Sequence, residues 1–257
     1  MNPLEVLIEK TTELKDSFTP TIIFGNITQY TLWMYIILAL VLIVVLCGAR
    51  KTTTVPKSKF ANMVEYGYEF IRSDMGENVI GHGYEKHLPF LETLFFFILI
   101  ANFVGLIPGC KTPTGSISVT WALAAISFVY FNFYGIKARG GWGYIKSIAP
   151  KGLPLFMAII IWVFEFISLV LRVLTLAVRL YGNMFAGHMV LGIFAMATGV
   201  FIQVAFQTGT FVFALPSIGW MFLLLFMYAL EMLVAYIQAY VFTVLSAVYV
   251  SLATSEH

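Results

Sequence analysis

From Gln29 to Ala49 the chain carries an unbroken apolar run, and polar stretches bound it on both sides. Its length fits one membrane-spanning helix, with Tyr30, Trp33 and Tyr35 as interfacial anchors at its start. Arg50-Lys51, Lys57 and Lys59 follow it. Basic flanks mark the cytoplasmic side, so the acidic segment 1–28, with Glu5, Glu9, Glu13 and Asp16, is expected outside. Residues 57–75 are too polar to span. Phe60, Met63, Val64, Tyr68 and Ile71 nevertheless recur at helical spacing, which predicts a helix on the cytoplasmic surface, with a solvated connector as the alternative. Residues 88–107 return outward to a short turn at Pro108-Gly109 and Pro113-Thr114-Gly115. Residues 117–135 cross back to the densest basic loop of the chain, Lys137, Arg139, Lys146 and Lys151, kept irregular by Gly140, Gly141, Gly143 and Pro150.

Two further apolar stretches, 154–206 and 213–250, are too long for upright helices. The first has about 50 residues, or roughly 75–80 Å of helix, against a hydrocarbon core about 30 Å thick. Either it breaks into two crossings or it is one strongly tilted element. No lysine or arginine follows Arg179, so charge asymmetry does not place the C-terminus.

Composition agrees with a membrane protein. Of 257 residues, 60% are hydrophobic and 11% charged, where a soluble domain is near half apolar and a quarter charged. A net charge of +2 gives no nucleic-acid surface. Cys47 and Cys110 make neither a disulfide framework nor a metal-ligand spacing. The acidic N-terminus lacks the basic start of a signal peptide, so the first span is expected to be retained.

The chemistry concentrates in the last hundred residues. Between Gly152 and Ser251 the formal charges are Glu165, Arg172, Arg179 and Glu231. Arginine at membrane depth costs about 3 to more than 10 kcal/mol, so it persists where it is paired or where it works. Its charge is permanent, so it attracts a carboxylate without carrying a proton. Glu165, Ser168, Arg172, Thr175, Arg179 and Asn183 are three or four residues apart and line one helix face. Glu165 and Arg172 can pair within that helix. Arg179 has no acidic residue one turn away, so its partner is expected on another helix or another chain. Gly182, Ala186, Gly187 and Gly192 are small enough for close helix approach. His188, nine residues past Arg179, is turned roughly 180° from it. Glu231 and Gln238 share a face of the last helix and are natural companions for His188; imidazole, carboxylate and amide suit a hydrated proton path.

Other classes fit less well. The chain has no GxxxxGK[ST] phosphate loop, metal cluster, nucleophile elbow or dinucleotide fingerprint, so neither a catalytic role nor a cofactor is expected. A stand-alone channel or transporter would place the polar stripe in its own pore, and transporters often show an internal repeat that is missing here. A structural anchor would leave Arg179 unexplained.

The spacing Glu165-x-x-Ser168-x-x-x-Arg172, then Leu176-x-x-Arg179-Leu-x-Gly-Asn183-x-x-Ala-Gly-His188, then Glu231-x6-Gln238, resembles the subunit a family of F-type rotary ATP synthases. Asn102-x-x-Gly-Leu-Ile-Pro108 and Pro113-x4-Ile-x-Val-Thr-x-Ala-Leu-Ala look like the same family. The resemblance implies an all-α polytopic fold. Five helices cross the membrane, the last two long and tilted, beside one cytoplasmic surface helix in a single domain, 29–257. It implies a non-catalytic stator subunit that works with a c-subunit ring, peripheral-stalk b subunits and the remaining synthase subunits. Arg179 is then the essential arginine, Glu165 lines a cytoplasmic half-channel with Arg172 as its partner, and Asn183, His188, Glu231 and Gln238 line or border an outer one. The translocated ion is H+, with Na+ open. Some members carry the acid and imidazole of His188 and Glu231 exchanged. A bacterial plasma membrane is expected, with the mitochondrial inner membrane as the alternative.

Overall fold

In the structure, a computed structural model, residues 22–24, 27–49, 59–107, 109–141, 143, 155–208 and 215–254 are described. The acidic N-terminal stretch, Arg50-Lys51, Lys57, Pro108, Lys146, Pro150, Lys151 and Pro154 lie outside these residues.

Among the described residues, five helices carry the apolar runs and are long and apolar enough to cross a membrane. Helix α1 is Gln29–Ala49. A small antiparallel ribbon precedes it: β1, Ile22–Phe24, and β2, Ile27–Thr28, with Ile22 opposite Thr28 and Phe24 opposite Ile27. Thr28 caps α1, its hydroxyl accepting from the Thr31 N–H at 3.4 Å. Helix α2, Lys59–Phe70, continues without a break into a wider π-type segment, Ile71–Ile80. Helicity therefore reaches beyond the 57–75 expected from periodicity. Two glycines with positive φ, Gly81 (76°) and Gly83 (82°), then turn the chain. At Gly76 a Cβ would come within 2.7 Å of the Tyr84 ring, so the missing side chain lets the turn fold back. The Arg72 Nε donates to the Tyr84 hydroxyl at 3.3 Å, and that hydroxyl donates to Glu77 Oε1 at 3.1 Å.

Helices α3, Leu88–Gly105, and α4, Ile117–Arg139, follow. Pro89 lies in the first turn of α3, where the N–H it lacks has no helical acceptor. Helix α5 is Leu155–Thr208, 54 residues, and α6 is Leu215–Thr254, 40 residues. At 1.5 Å per residue these are about 81 Å and 60 Å long. Neither is interrupted, which decides between the two possibilities left by the sequence. An apolar window from Ile159 to Phe206 has to lie obliquely in a core about 30 Å thick.

Helix α6 is central, packing on α5, α3, α4 and the π segment. From Glu231 to Ala253 its buried residues, Glu231, Ala235, Gln238, Ala239, Phe242, Thr243, Ser246, Ala247, Val250 and Ala253, recur singly or in adjacent pairs once per turn and form one stripe. The alanines in it allow the close helix contact that stands in for hydrophobic driving force in lipid. Two polar contacts fix the register: Ser127 Oγ donates to Ser246 Oγ at 2.9 Å, and the Tyr240 hydroxyl donates to Asp74 Oδ2 at 2.6 Å.

At the Leu88 end, buried His87 joins α3 to α4. Its Nδ1 is 3.1 Å from the Tyr130 hydroxyl, and its ring meets Tyr134 edge-on at 4.5 Å. Burial, and then the charge of Lys86 next door, hold His87 below its ordinary value of 6.5. The unfolded chain therefore takes up this proton first. The His87 contribution to stability is complete above about pH 6.5 and is lost as the pH falls through the lowered native value. We expect the melting temperature in detergent to drop between pH 7.5 and pH 5.5, and His87→Phe to flatten that drop; an equal drop in both proteins would remove His87 as its source.

Candidate functional site

Helix α5 sorts its residues by face. Leu176, Ala177, Leu180, Met184 and Gly187 are buried, whereas Thr175 and Arg179 are exposed. Arg179 thus projects from the outer side of α5, in the middle of an apolar span. Among the described residues it has no hydrogen bond or ion pair. Among the described residues no other helix supplies the counter-ion that Arg179 lacks on its own.

The neighbouring charges are treated differently. Arg172 Nη2 lies 3.2 Å from Glu165 Oε1, two turns away on the same helix, and its guanidinium sits 5.4 Å from the Tyr249 ring centroid on α6. This pair is partly exposed, near the end of α5 that follows the basic loop. Ser168 lies between them, half-buried, and the Thr175 hydroxyl is turned back onto the Arg172 carbonyl at 3.0 Å.

On the inner face, Glu231 is buried against α5, and its place depends on Gly187. A Cβ at Gly187 would run into the Glu231 carboxylate itself. One missing side chain on α5 therefore makes the space for an acid on α6. His188 is the next residue in the chain and is half-buried; no hydrogen bond joins its ring to Glu231. Gln238, two turns beyond Glu231 on the same stripe, is buried with its Nε2 unpartnered among the described residues, and so is Asn183 Nδ2 on α5. A buried amide without a partner costs about 1–3 kcal/mol, so both are set up to receive water or another polar group. Along α5, Arg179 thus stands between two polar regions, Glu165 with Arg172 on one side and Asn183 and His188, with Glu231 against Gly187, on the other; Gln238, between Glu231 and Tyr249 on α6, falls near the level of Arg179.

Three further features have no role assigned by the sequence, although Asn102 and Gly105 belong to one of the motifs that carry its resemblance. Asn102, fully buried on α3, donates to the Ala235 carbonyl of α6 at 3.3 Å and accepts from the Thr114 hydroxyl at 2.9 Å. Thr114 lies 2.7 Å from the Thr112 hydroxyl, which donates to the Ala101 carbonyl at 3.0 Å. The α3–α4 loop is thereby locked beside Glu231, one turn from Ala235. A Cβ at Gly105 would come within 2.6 Å of Thr112, so this lock also requires a glycine. The second feature is Glu92, a carboxylate inside the α3 span whose Oε1 is buried without a partner among the described residues. Its charge in an apolar run was the available signal. The third, the bond between Tyr240 and Asp74, joins residues 166 positions apart and leaves no local pattern.

Comparison with known proteins bears on this arrangement. Residues 31–251 match the family described as "ATP synthase A chain". A protein of Chloroherpeton thalassium named ATP synthase subunit a is 37% identical over 235 residues, covering 90% of this chain and 67% of that protein. Its namesake from Parafrankia sp. is 40% identical over 215 residues, covering 82% and 70%. One from Anaeromyxobacter dehalogenans is 34% identical over 253 residues, covering 95% and 63%.

The contact of Gly187 with Glu231 can be tested directly. We expect Gly187→Ala to displace the carboxylate and lower stability by about 1–3 kcal/mol, the usual cost of overpacking. Removing the obstacle with Glu231→Ala in the same chain should recover most of that loss. Melting temperatures of the two single variants and the double variant in detergent measure it; additive losses would mean that the residues do not compete for space.

Proposed function

The chain belongs to the ATP synthase A chain family, and on that footing we propose that it is the proton-translocating stator wall against which a ring of c subunits turns. The observation that carries this reading is Arg179, an unpartnered cation on the outward face of a membrane helix. A charge so placed is stable when an anion meets it from outside the chain. A carboxylate carried past on a c subunit supplies that anion intermittently.

In this reading the two polar regions are offset half-channels. A proton enters past His188 and Glu231, bordered by Asn183 and Gln238, and neutralises the c-subunit carboxylate. The neutral group can then face lipid as the ring rotates. Beside Glu165 and Arg172 it releases the proton to the cytoplasmic side, and the resulting anion is drawn to Arg179. The permanent positive charge also bars a direct proton wire between the half-channels. A voltage of 100 mV supplies about 2.3 kcal/mol per charge moved. The chain itself performs no covalent chemistry; ATP is made by the other synthase subunits. The b subunits of the peripheral stalk hold it against rotation. The N-terminus lies outside, and the membrane is a bacterial plasma membrane.

Two outcomes are expected. With the assembled complex in vesicles, Arg179→Ala should reduce ATP-driven proton pumping to background, and normal pumping would overturn the assignment. Exchanging His188 and Glu231, by His188→Glu with Glu231→His, should leave more proton flux than either single substitution. A double variant as inactive as both singles would argue that the two groups do not serve one path.

A further inference from the structure

Arg172 and Arg179 lie seven residues apart on one stripe of α5, about 10 Å along its axis, yet the fold treats them differently. Arg179 is exposed and has no ion pair among the described residues. Arg172 is turned toward α6. Its guanidinium lies 5.4 Å from the Tyr249 ring centroid, while its Nη2 lies 3.2 Å from Glu165 Oε1. The ion pair alone is a weak restraint. The Glu165 side chain is 45% exposed and that of Arg172 24%, and a pair so open to solvent hardly outweighs the freedom of two long side chains. The ring supplies a second hold, because the quadrupole of an aromatic face attracts a guanidinium placed over it.

Contacts that do not involve Arg172 fix Tyr249 in turn. Phe131 of α4 meets it with ring centroids 5.7 Å apart, and Phe131 is buried in a cluster with Leu169 of α5 and Val250 and Ala253 of α6. Leu169 lies one turn before Arg172 and holds that part of α5 on the cluster. Ser246, one turn before Tyr249, accepts from the Ser127 hydroxyl of α4 at 2.9 Å. We propose that Tyr249 is a positioning residue for the proton path, acting through Arg172. Ring and Glu165 together keep that guanidinium within the chain, so a carboxylate arriving on the outer face of α5 meets one open cation, Arg179, instead of two. A loose Arg172 would present a second permanent charge two turns away on the same stripe. It would hold the arriving anion short of Arg179 and leave Glu165 without its partner. A ring that merely fills space between α4, α5 and α6 would matter equally whatever stood at position 172.

The proposal rests on the reading of Arg179 as the meeting point for an external carboxylate, and two measurements keep the two apart. In the assembled complex, phenylglyoxal labelling of Arg172, followed by peptide mass spectrometry, reports the hold on the guanidinium without any transport assay. Labelling is expected to be about threefold faster in Tyr249→Leu and unchanged in Tyr249→Phe, which keeps the aromatic face. In vesicles, Tyr249→Leu should lower ATP-driven proton pumping about threefold, and Tyr249→Phe should not. In a chain that already carries Arg172→Gln, Tyr249→Leu should cause no further loss. Equal labelling in the wild type and Tyr249→Leu would overturn the positioning role, and so would an undiminished loss in the Arg172→Gln chain. If Arg172→Gln alone abolishes pumping, the labelling rates decide; if Tyr249→Leu fails to assemble, Tyr249→Met takes its place. Normal pumping by Arg179→Ala would instead sink the reading beneath the proposal.

Discussion

A polar group in hydrocarbon has no water to turn to, and each helix of this protein is placed under that condition. Asn102, Thr112 and Thr114 satisfy one another and two backbone carbonyls. Ser127 and Ser246 form a pair, Glu165 holds Arg172, and Tyr240 reaches Asp74. The groups left over are therefore informative. Arg179, Asn183 and Gln238 have no partner among the described residues. They belong to the two helices that bear the functional reading, and Glu92 Oε1 on α3 is left open in the same way. A protein able to close a five-member buried network around Asn102 had the means to pair these groups as well, so their openness is better read as provision for something from outside.

Local periodicity made much of the fold legible. Gln29–Ala49 forms a helix with the bounds that the apolar run suggested, because polar residues at both ends leave no other frame. The polar stripe of α5 was legible for the same reason: six residues at helical spacing have to share a face, and Glu165 does meet Arg172. The angular separation of Arg179 from His188 follows from counting; in the structure Arg179 is exposed and His188 half-buried.

Other features were beyond such counting. Two crossings and one oblique helix share the same apolar pattern over 154–206, and the choice depends on neighbours that a single segment does not encode. The π-type stretch Ile71–Ile80 has a polarity that reads as the end of a helix, yet contacts with Tyr84 and Tyr240 keep it wound. Gly187 looked like a place for helix contact in general. What it admits is one carboxylate, and only the approach of α6 reveals that. Glu92 carries the same local signal as Arg179, an ionisable group within an apolar span.

The slant of α5 has a geometric consequence. Glu165 and His188 are 23 residues apart, or about 35 Å along the axis, more than the roughly 30 Å of the hydrocarbon layer. On a vertical rod these positions would differ in altitude alone, and one of them would stand outside the oil. On a ramp most of that distance becomes sideways travel at modest change of depth. Under the proposed function the helix works as an inclined plane: its gradient converts a separation along the sequence into an arc around the ring which that reading sets beside it.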